Sequence, residues 1–184
     1  MQFHSSSPKE VVKSFWKNRR LIFSLSQREI LGRYRGSFMG ILWSFFTPLL
    51  MLIVYTFVFS VIFKARWDAG SDSRIEFALI LFAGLMTFNF FAECITRSTS
   101  LITSNVNYVK KVVFPLEILP WVSLGAALFH FAISLVVWLI AYLIFFGLPH
   151  TTIFYLPIIF TPFVFLIMGI TYFLSALGVY MRDI

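Results

Sequence analysis

Residues 118–181 read ILPWVSLGAALFHFAISLVVWLIAYLIFFGLPHTTIFYLPIIFTPFVFLIMGITYFLSALGVYM, 64 positions without one Asp, Glu, Lys or Arg. As a single helix, at about 1.5 Å per residue, this stretch would be roughly 96 Å long, about three times the hydrocarbon thickness of a bilayer. The turn-like sequence GLPHTT at 147–152 lies near its middle. The segment therefore predicts two helices that cross a membrane and fold back within it.

The composition of the whole chain indicates the same class of protein. Of its 184 residues, 59% are hydrophobic, 12% are charged and 24 are Phe, which is far from the balance of a soluble domain. Cys94 is the single cysteine, so we expect no internal disulfide and no Cys/His metal site, and we interpret it as a buried apolar side chain. The first apolar segment is too long for the core of a cleavable signal peptide, and we expect the N-terminus to be retained.

Two more spans precede the uncharged segment. The 28 residues from 36 to 63 carry no charge and suffice for a tilted transmembrane helix. Between Glu76 and Glu93 only 16 uncharged residues remain, which is too short for a full span, so Glu93 must lie near the membrane boundary. Arg97 follows at the i,i+4 spacing that favours an ion pair on one helical face, and we expect Glu93 and Arg97 to pair.

The predicted fold is that of an all-α, polytopic membrane protein. A cytoplasmic amphipathic segment occupies residues 1–36, and a transmembrane domain occupies residues 37–184. The domain contains four transmembrane helices, with a cytoplasmic coupling loop between the second and the third. We expect the spans at residues about 37–63, 77–97, 121–146 and 153–180, the loop at 98–120, and a bend in the fourth span at Pro157 or Pro162.

The distribution of charge orients the four spans. Eight Lys and Arg residues lie within residues 1–36, and three more follow the second span. The loop at 64–76, between the first and second spans, has three basic residues offset by three acids. The positive-inside rule then places the N-terminus and the second loop in the cytoplasm. This topology accounts for the net charge of +7, so we expect no nucleic-acid partner.

The first 36 residues have the pattern of a basic amphipathic helix that lies on the inner membrane surface. Two capping boxes occur in this segment, SPKE at 7–10 and SQRE at 26–29. The first predicts the start of the helix, with proline in its first position. The second predicts that the chain turns at Ser26 and starts a new helix toward the bilayer.

Some small and polar residues in or near the spans have two interpretations each. Gly32, Gly36 and Gly40 are four residues apart, so on a helix they would form a stripe open to another backbone, or they would loosen the start of the span. His130 lies in mid-span and is either a proton relay or a structural histidine hydrogen-bonded between helices. We favour the structural role because residues 118–181 contain no acid to complete a relay.

Three stretches resemble one protein family. The sequence QREILGRYRGSFMGILW at 27–43, followed by Pro48, closely resembles the start of the first span in bacterial polysaccharide-export permeases. These are the membrane subunits of type-2 ABC exporters that move O-antigen, related capsule polymers or teichoic acids. The sequence NYVKKVVFPLEILP at 107–120 resembles the segment that leads into their third span, and YMRDI at 180–184 resembles the segment after their fourth.

The resemblance implies a homodimer of permeases joined to two copies of a separate nucleotide-binding ABC subunit. ATP and Mg²⁺ would bind that subunit and no cofactor would bind this chain, which has no GxxxxGK[ST] motif. Members of the family have six spans, so we expect this four-span chain to be truncated. In the family the N-terminal helix and the loop after the second span touch the ATPase. By position, the interface residues are Arg28, Glu29, Arg33, Tyr34, Arg35, Ser104, Asn105, Lys110 and Lys111.

Aromatic side chains on the first span are candidates for a substrate path. Flat rings can face the apolar sides of pyranose rings without fixing one position, which permits a sugar polymer to slide. The same rings would equally serve as lipid-facing side chains or interfacial anchors. The candidate residues are Trp43, Phe45, Phe46, Tyr55, Phe57, Phe59 and Phe63.

These observations predict a transport permease, not an enzyme, in the bacterial cytoplasmic (inner) membrane. Its substrate would be a lipid-linked polysaccharide, with O-antigen favoured by the resemblance, and its surface would contact membrane lipids. One alternative is an intramembrane lipid-linked sugar or acyl transferase, which would require clustered acids or a His with an acidic partner. The eight acids of this chain are scattered. A second alternative is an inert membrane anchor or scaffold.

Overall fold

The computed structural model describes residues 8–62, 74–105 and 114–180, and this part of the chain is helical throughout except for turns and short connections. The five α-helices of the described part are α1 (Pro8–Tyr34), α2 (Trp43–Thr56), α3 (Arg74–Ser98), α4 (Leu119–Phe146) and α5 (Leu156–Tyr180). Short helical turns extend several of them: 3₁₀ turns at Gly40–Leu42, Thr103–Asn105, Leu116–Ile118 and Thr151–Tyr155, and a π-helical turn at Phe57–Ile62.

Four helical segments of the described chain are long and apolar enough to cross a membrane. They are Gly40–Phe59, Ile75–Ser98, Leu116–Phe146 and Thr151–Tyr180. At about 1.5 Å per residue each reaches the roughly 30 Å of a hydrocarbon core. The prediction of an all-α polytopic membrane protein with four spans is confirmed. Pro162, one of the two residues where a bend was expected, lies inside α5.

Helix α1 differs from its prediction. It starts at Pro8, but it continues without interruption through the expected turn at Ser26 to Tyr34. The prediction of two helices is wrong because the Ser26 hydroxyl does not cap a new helix: it donates a 3.1 Å hydrogen bond to the Val122 carbonyl oxygen of α4. A serine can occupy mid-helix when its hydroxyl has a partner elsewhere. Ser7 of the first capping box lies outside the described residues.

The glycine stripe is also not formed. Gly32 lies in α1, whereas Gly36 and Gly40 follow the end of that helix with φ angles of +85° and +55°. Only glycine adopts these angles without strain, so these two residues serve the connection between α1 and α2. A side-chain carbon added at Gly32, Gly36 or Gly40 would meet nothing within 4 Å. The three glycines therefore do not form a stripe on one helix, and a role in packing against another chain stays a prediction.

The chain forms two compact units. We call the first the ion-pair unit; it comprises Met1–Arg33, Glu93–Ala127 and Pro162–Ile184. Its apolar core contains Ile22 of α1 packed with Ile118 and Val122, and the ring of Phe15 lies 4.5 Å from that of Trp121. The core of this unit thus joins one face of α1 to the start of α4.

The second unit, here called the aromatic unit, comprises Tyr34–Ala92 and Leu128–Thr161. At its centre the rings of Phe90, Phe131 and Phe160 lie within 5.5 Å of one another, and Phe131 stacks on Phe160 at 4.4 Å. The Trp138 indole donates a 2.9 Å hydrogen bond to the Leu79 carbonyl oxygen. Aromatic contacts and neutral hydrogen bonds therefore connect α3, α4 and the start of α5 in this unit.

Candidate functional site

A cavity of about 700 Å³ lies within the ion-pair unit. Helix α1 contributes three of its lining residues at the i, i+3, i+4 spacing of one helical face. The end of α3 and the turn after it contribute five more, and α4 contributes two. The lining residues are Leu25, Arg28, Glu29, Arg97, Ser100, Leu101, Ser104, Asn105, Leu119 and Val122.

The turn after α3 is held by its own polar side chains. Asn105 donates a 2.8 Å hydrogen bond to the Leu101 carbonyl oxygen, and the Ser98 hydroxyl donates one of 2.6 Å to the Ile95 carbonyl oxygen. Leu101 itself is buried. Because these bonds satisfy backbone carbonyls at the end of a helix, the turn has a defined conformation and can present its residues to the cavity in a fixed arrangement.

Four charged side chains, of which Glu29 and Arg97 line the cavity, form two ion pairs between α1 and α3. Arg33 Nη2 lies 2.5 Å from Glu93 Oε1, and Arg97 pairs with Glu29. All four side chains are at most 35% exposed. The expected pair between Glu93 and Arg97 within α3 is therefore wrong. An i,i+4 pair contributes only about 0.3–0.5 kcal/mol, and complementary charges on α1 replace it.

The structure brings some of the predicted ATPase-interface residues together. Arg28 and Glu29 from the first predicted segment line the same cavity as Ser104 and Asn105 from the second. Sequence reasoning missed Arg97, which lines the cavity as well. The signal that could have found it is the charge order of α1, where an acid and a base one turn apart are complementary to the acid and base of α3.

The remaining interface candidates lie elsewhere. Tyr34 forms a 3.1 Å hydrogen bond with His130 Nε2 in the aromatic unit. The expected interhelix hydrogen bond of His130 is thus observed, and its structural role stays a prediction. Arg35 is exposed just after the end of α1. Lys110 and Lys111 lie outside the described residues.

The aromatic candidates for a substrate path lie on both exposed and partly buried positions of the first span. Exposure does not distinguish the rings, because aliphatic side chains of α2 such as Leu50 and Ile53 are exposed to a similar extent. The path assignment therefore remains a prediction. The exposed candidates are Trp43, Phe45 and Phe57, the partly buried ones are Phe46, Tyr55 and Phe59, and Phe63 lies outside the described residues.

Two further observations concern chemistry within the spans. Cys94 is buried, at 1% exposure, as expected for an apolar side chain. In the described ranges no three His, Cys, Asp or Glu side chains are grouped so that they could hold a metal ion.

Comparison with known proteins decides the family. The sequence pattern described as "ABC-2 type transporter" matches residues 20–184. The chain belongs to the ABC-2 type transporter family. The resemblance found in the sequence is confirmed, and with its four apolar helices this ABC-2 family member is a multi-pass membrane protein.

Curated relatives of this ABC-2 chain are O-antigen export system permease proteins named RfbA. The relative from Myxococcus xanthus is 29% identical over 174 residues, which cover 95% of this chain and 64% of the relative. Two relatives from Klebsiella pneumoniae are 28% and 25% identical over 166 residues, which cover 89% of this chain and 61% of each relative. The chain thus spans a little over three fifths of the length of these relatives.

Proposed function

We propose that this ABC-2 chain belongs to the permease subunit of an exporter that moves a lipid-linked polysaccharide across the bacterial cytoplasmic membrane. O-antigen is the polysaccharide that we favour. The observation that carries the proposal is the match to O-antigen export permeases over 89–95% of the chain. The same match favours export over the transferase alternative. ATP would be hydrolysed on a separate subunit, and the N-terminus would be cytoplasmic, as the charge distribution favours.

We infer that the ATPase binds at the cavity of the ion-pair unit, on a surface that we call the docking face. Two segments far apart in sequence meet there, and each contributes polar side chains to one wall. A motor subunit that touches both segments would act on α1 and on the end of α3 together. We assign this contact to Arg28, Arg35, Ser104, Asn105, Lys110 and Lys111.

Three residues predicted for the same contact are engaged by other helices. Glu29 and Arg33 pair with α3, and Tyr34 is hydrogen-bonded to His130 of α4. We therefore separate them from the docking face.

A second copy of the permease would complete the substrate path. The first and fourth apolar helices support such a contact, since only 11% of each is buried within the chain, against 28% for the second.

Copurification tests the proposal. The full-length permease should retain its ATPase in detergent, and Arg28→Glu or the double change Lys110→Glu with Lys111→Glu should reduce the retained ATPase about ten-fold, because both reverse charge at the docking face. Lys17→Glu, an exposed change on α1 away from the cavity, is the matched control and should retain it. A permease that never binds an ATPase, in a preparation that turns over a sugar or acyl transferase substrate, would contradict export.

A further inference from the structure

In the two ion pairs between α1 and α3, α1 contributes the acid to one pair and the base to the other. On α1 the acid Glu29 comes one turn before the base Arg33, and on α3 the acid Glu93 comes one turn before the base Arg97. Glu29 pairs with Arg97 and Arg33 pairs with Glu93. Residue numbers thus rise on one helix as they fall on the other, so the helices run antiparallel at this contact.

This order of charges opposes a slide of one turn in either direction. If α1 slid by one turn in one direction, Arg33 would face Arg97. If it slid by one turn in the other direction, Glu29 would face Glu93. Both shifts replace two opposite-charge contacts by a like-charge contact, which is unfavourable, more so for partly buried side chains. The observed register places each of the four charged side chains beside one of opposite sign.

The position of the pairs adds to their effect. Glu93 and Arg97 lie inside the last two turns of an apolar helix that ends at Ser98. Charged side chains at this depth require a partner, because the hydrocarbon boundary offers little water to solvate them. The partners come from the last two turns of α1. The end of α1 is therefore attached to a spanning helix and is not free to move on the membrane surface.

We propose that these four residues form a charge lock, defined as Glu29–Arg97 together with Arg33–Glu93, that sets the register of α1 against α3 and carries movement from the docking face into the second span. The role rests on the proposed function, since a motor must act on α1. Within it, Glu29 and Arg33 are positioning residues and not contacts of the ATPase. A push on α1 then displaces α3 by the same amount instead of sliding past it.

Charge reversal tests the lock in the full-length permease bound to its ATPase. Arg33→Glu alone places two acids together, and Glu93→Arg alone places two bases together. Each single change should lower polysaccharide export about ten-fold. The matched double variant, Arg33→Glu with Glu93→Arg, restores an opposite-charge pair and should return export to within about three-fold of the original. Glu29→Arg with Arg97→Glu should behave in the same way.

Two controls test whether export is restored by the opposite-charge pair itself, and not because these positions accept any charge. The mismatched double variant, Arg33→Glu with Arg97→Glu, leaves both pairs broken and should export no better than Arg33→Glu alone. Arg20→Glu, an exposed change on α1 that touches neither pair, should export normally. If a reversed single variant does not insert, Arg33→Gln, Glu93→Gln and their double replace it, and the double should cost no more than the worse single change.

ATPase binding distinguishes positioning from direct contact. If the charge lock holds, Arg33→Glu leaves the docking face intact. The ATPase should then copurify at the original ratio and hydrolyse ATP, although export is about ten-fold lower. If Arg33→Glu releases the ATPase, or if the matched double exports no better than the single variant, the lock is overturned. Neither result touches the exporter proposal, which the copurification of the unaltered permease with an ATPase tests separately.

Discussion

The contacts inside the ion-pair unit differ in kind from the contacts inside the aromatic unit. In the ion-pair unit α1 is fixed to α3 by two ion pairs, and a 3.0 Å hydrogen bond joins Ser14 to the Glu117 carboxylate. In the aromatic unit, Phe90, Phe131 and Phe160 form the central contact. Ion pairs discriminate strongly between registers, whereas apolar rings tolerate substitution by side chains of similar volume. The first unit is therefore suited to transmit a defined movement, and the second to hold helices together in lipid.

The largest expected effect is the removal of the central ring of the aromatic unit. Phe131→Ala deletes the ring that stacks on Phe160 and contacts Phe90, and should cost about 3 kcal/mol of stability. The melting temperature of the purified permease in detergent should fall by roughly 6–12 °C. Phe131→Leu keeps most of the apolar volume and should cost less than half as much. Equal losses of stability for Phe131→Ala and Phe131→Leu would mean that this unit depends on ring geometry. The aromatic unit would then be as sensitive to exact geometry as the ion-pair unit, and the contrast between them would fail.

A smaller effect is expected where two backbones of the ion-pair unit approach. A side-chain carbon added at Gly178 of α5 would overlap the Thr99 carbonyl oxygen. Gly178→Ala should therefore force the turn after α3 away from α5, at a cost of about 2 kcal/mol and a fall in melting temperature of roughly 4–8 °C.

Gly169→Ala is the control for that change. Gly169 lies in the same helix, and an added carbon there would meet nothing within 4 Å. This substitution should leave stability unchanged or raise it slightly, since alanine favours helix over glycine by up to about 1 kcal/mol. If Gly169→Ala and Gly178→Ala have the same effect, the close approach of Thr99 and Gly178 is not a determinant of the unit.

The sequence predicts the spans well for a physical reason. Lipid offers no partner for charged side chains, so runs without Asp, Glu, Lys or Arg must mark the helices that cross it. The burial of Cys94 and the hydrogen bond of His130 follow from the same reasoning: a weakly polar thiol packs as an apolar group, and an imidazole in a span needs a polar partner.

Residues that depend on long-range contacts are harder to predict. Glu93 has a base four residues away, yet its partner Arg33 is 60 residues away in sequence. Ser26 begins a good capping box, yet its hydroxyl bonds to Val122, 96 residues away. In both cases a local pattern predicts one contact, and the packing of α1 against other helices supplies a better one. Only the arrangement of the helices decides between them.

The smallest expected effect concerns a neutral hydrogen bond in the aromatic unit. Tyr34→Phe removes the hydroxyl that bonds to His130 Nε2 at 3.1 Å and keeps the ring that contacts the imidazole edge-on. The loss should be about 1 kcal/mol, or roughly 2–4 °C in melting temperature, because the bond is partly buried and neutral. In a double-mutant cycle, the losses from Tyr34→Phe and His130→Leu should be less than additive, because both changes remove the same hydrogen bond. Additive losses would show that the hydroxyl acts elsewhere.

Export tests the same residue in a second way. Polysaccharide export should stay near the original level in Tyr34→Phe. A loss of export as large as that of Arg33→Glu would return Tyr34 to the docking face. The functional distinction between the two units at this end of α1 would then be lost.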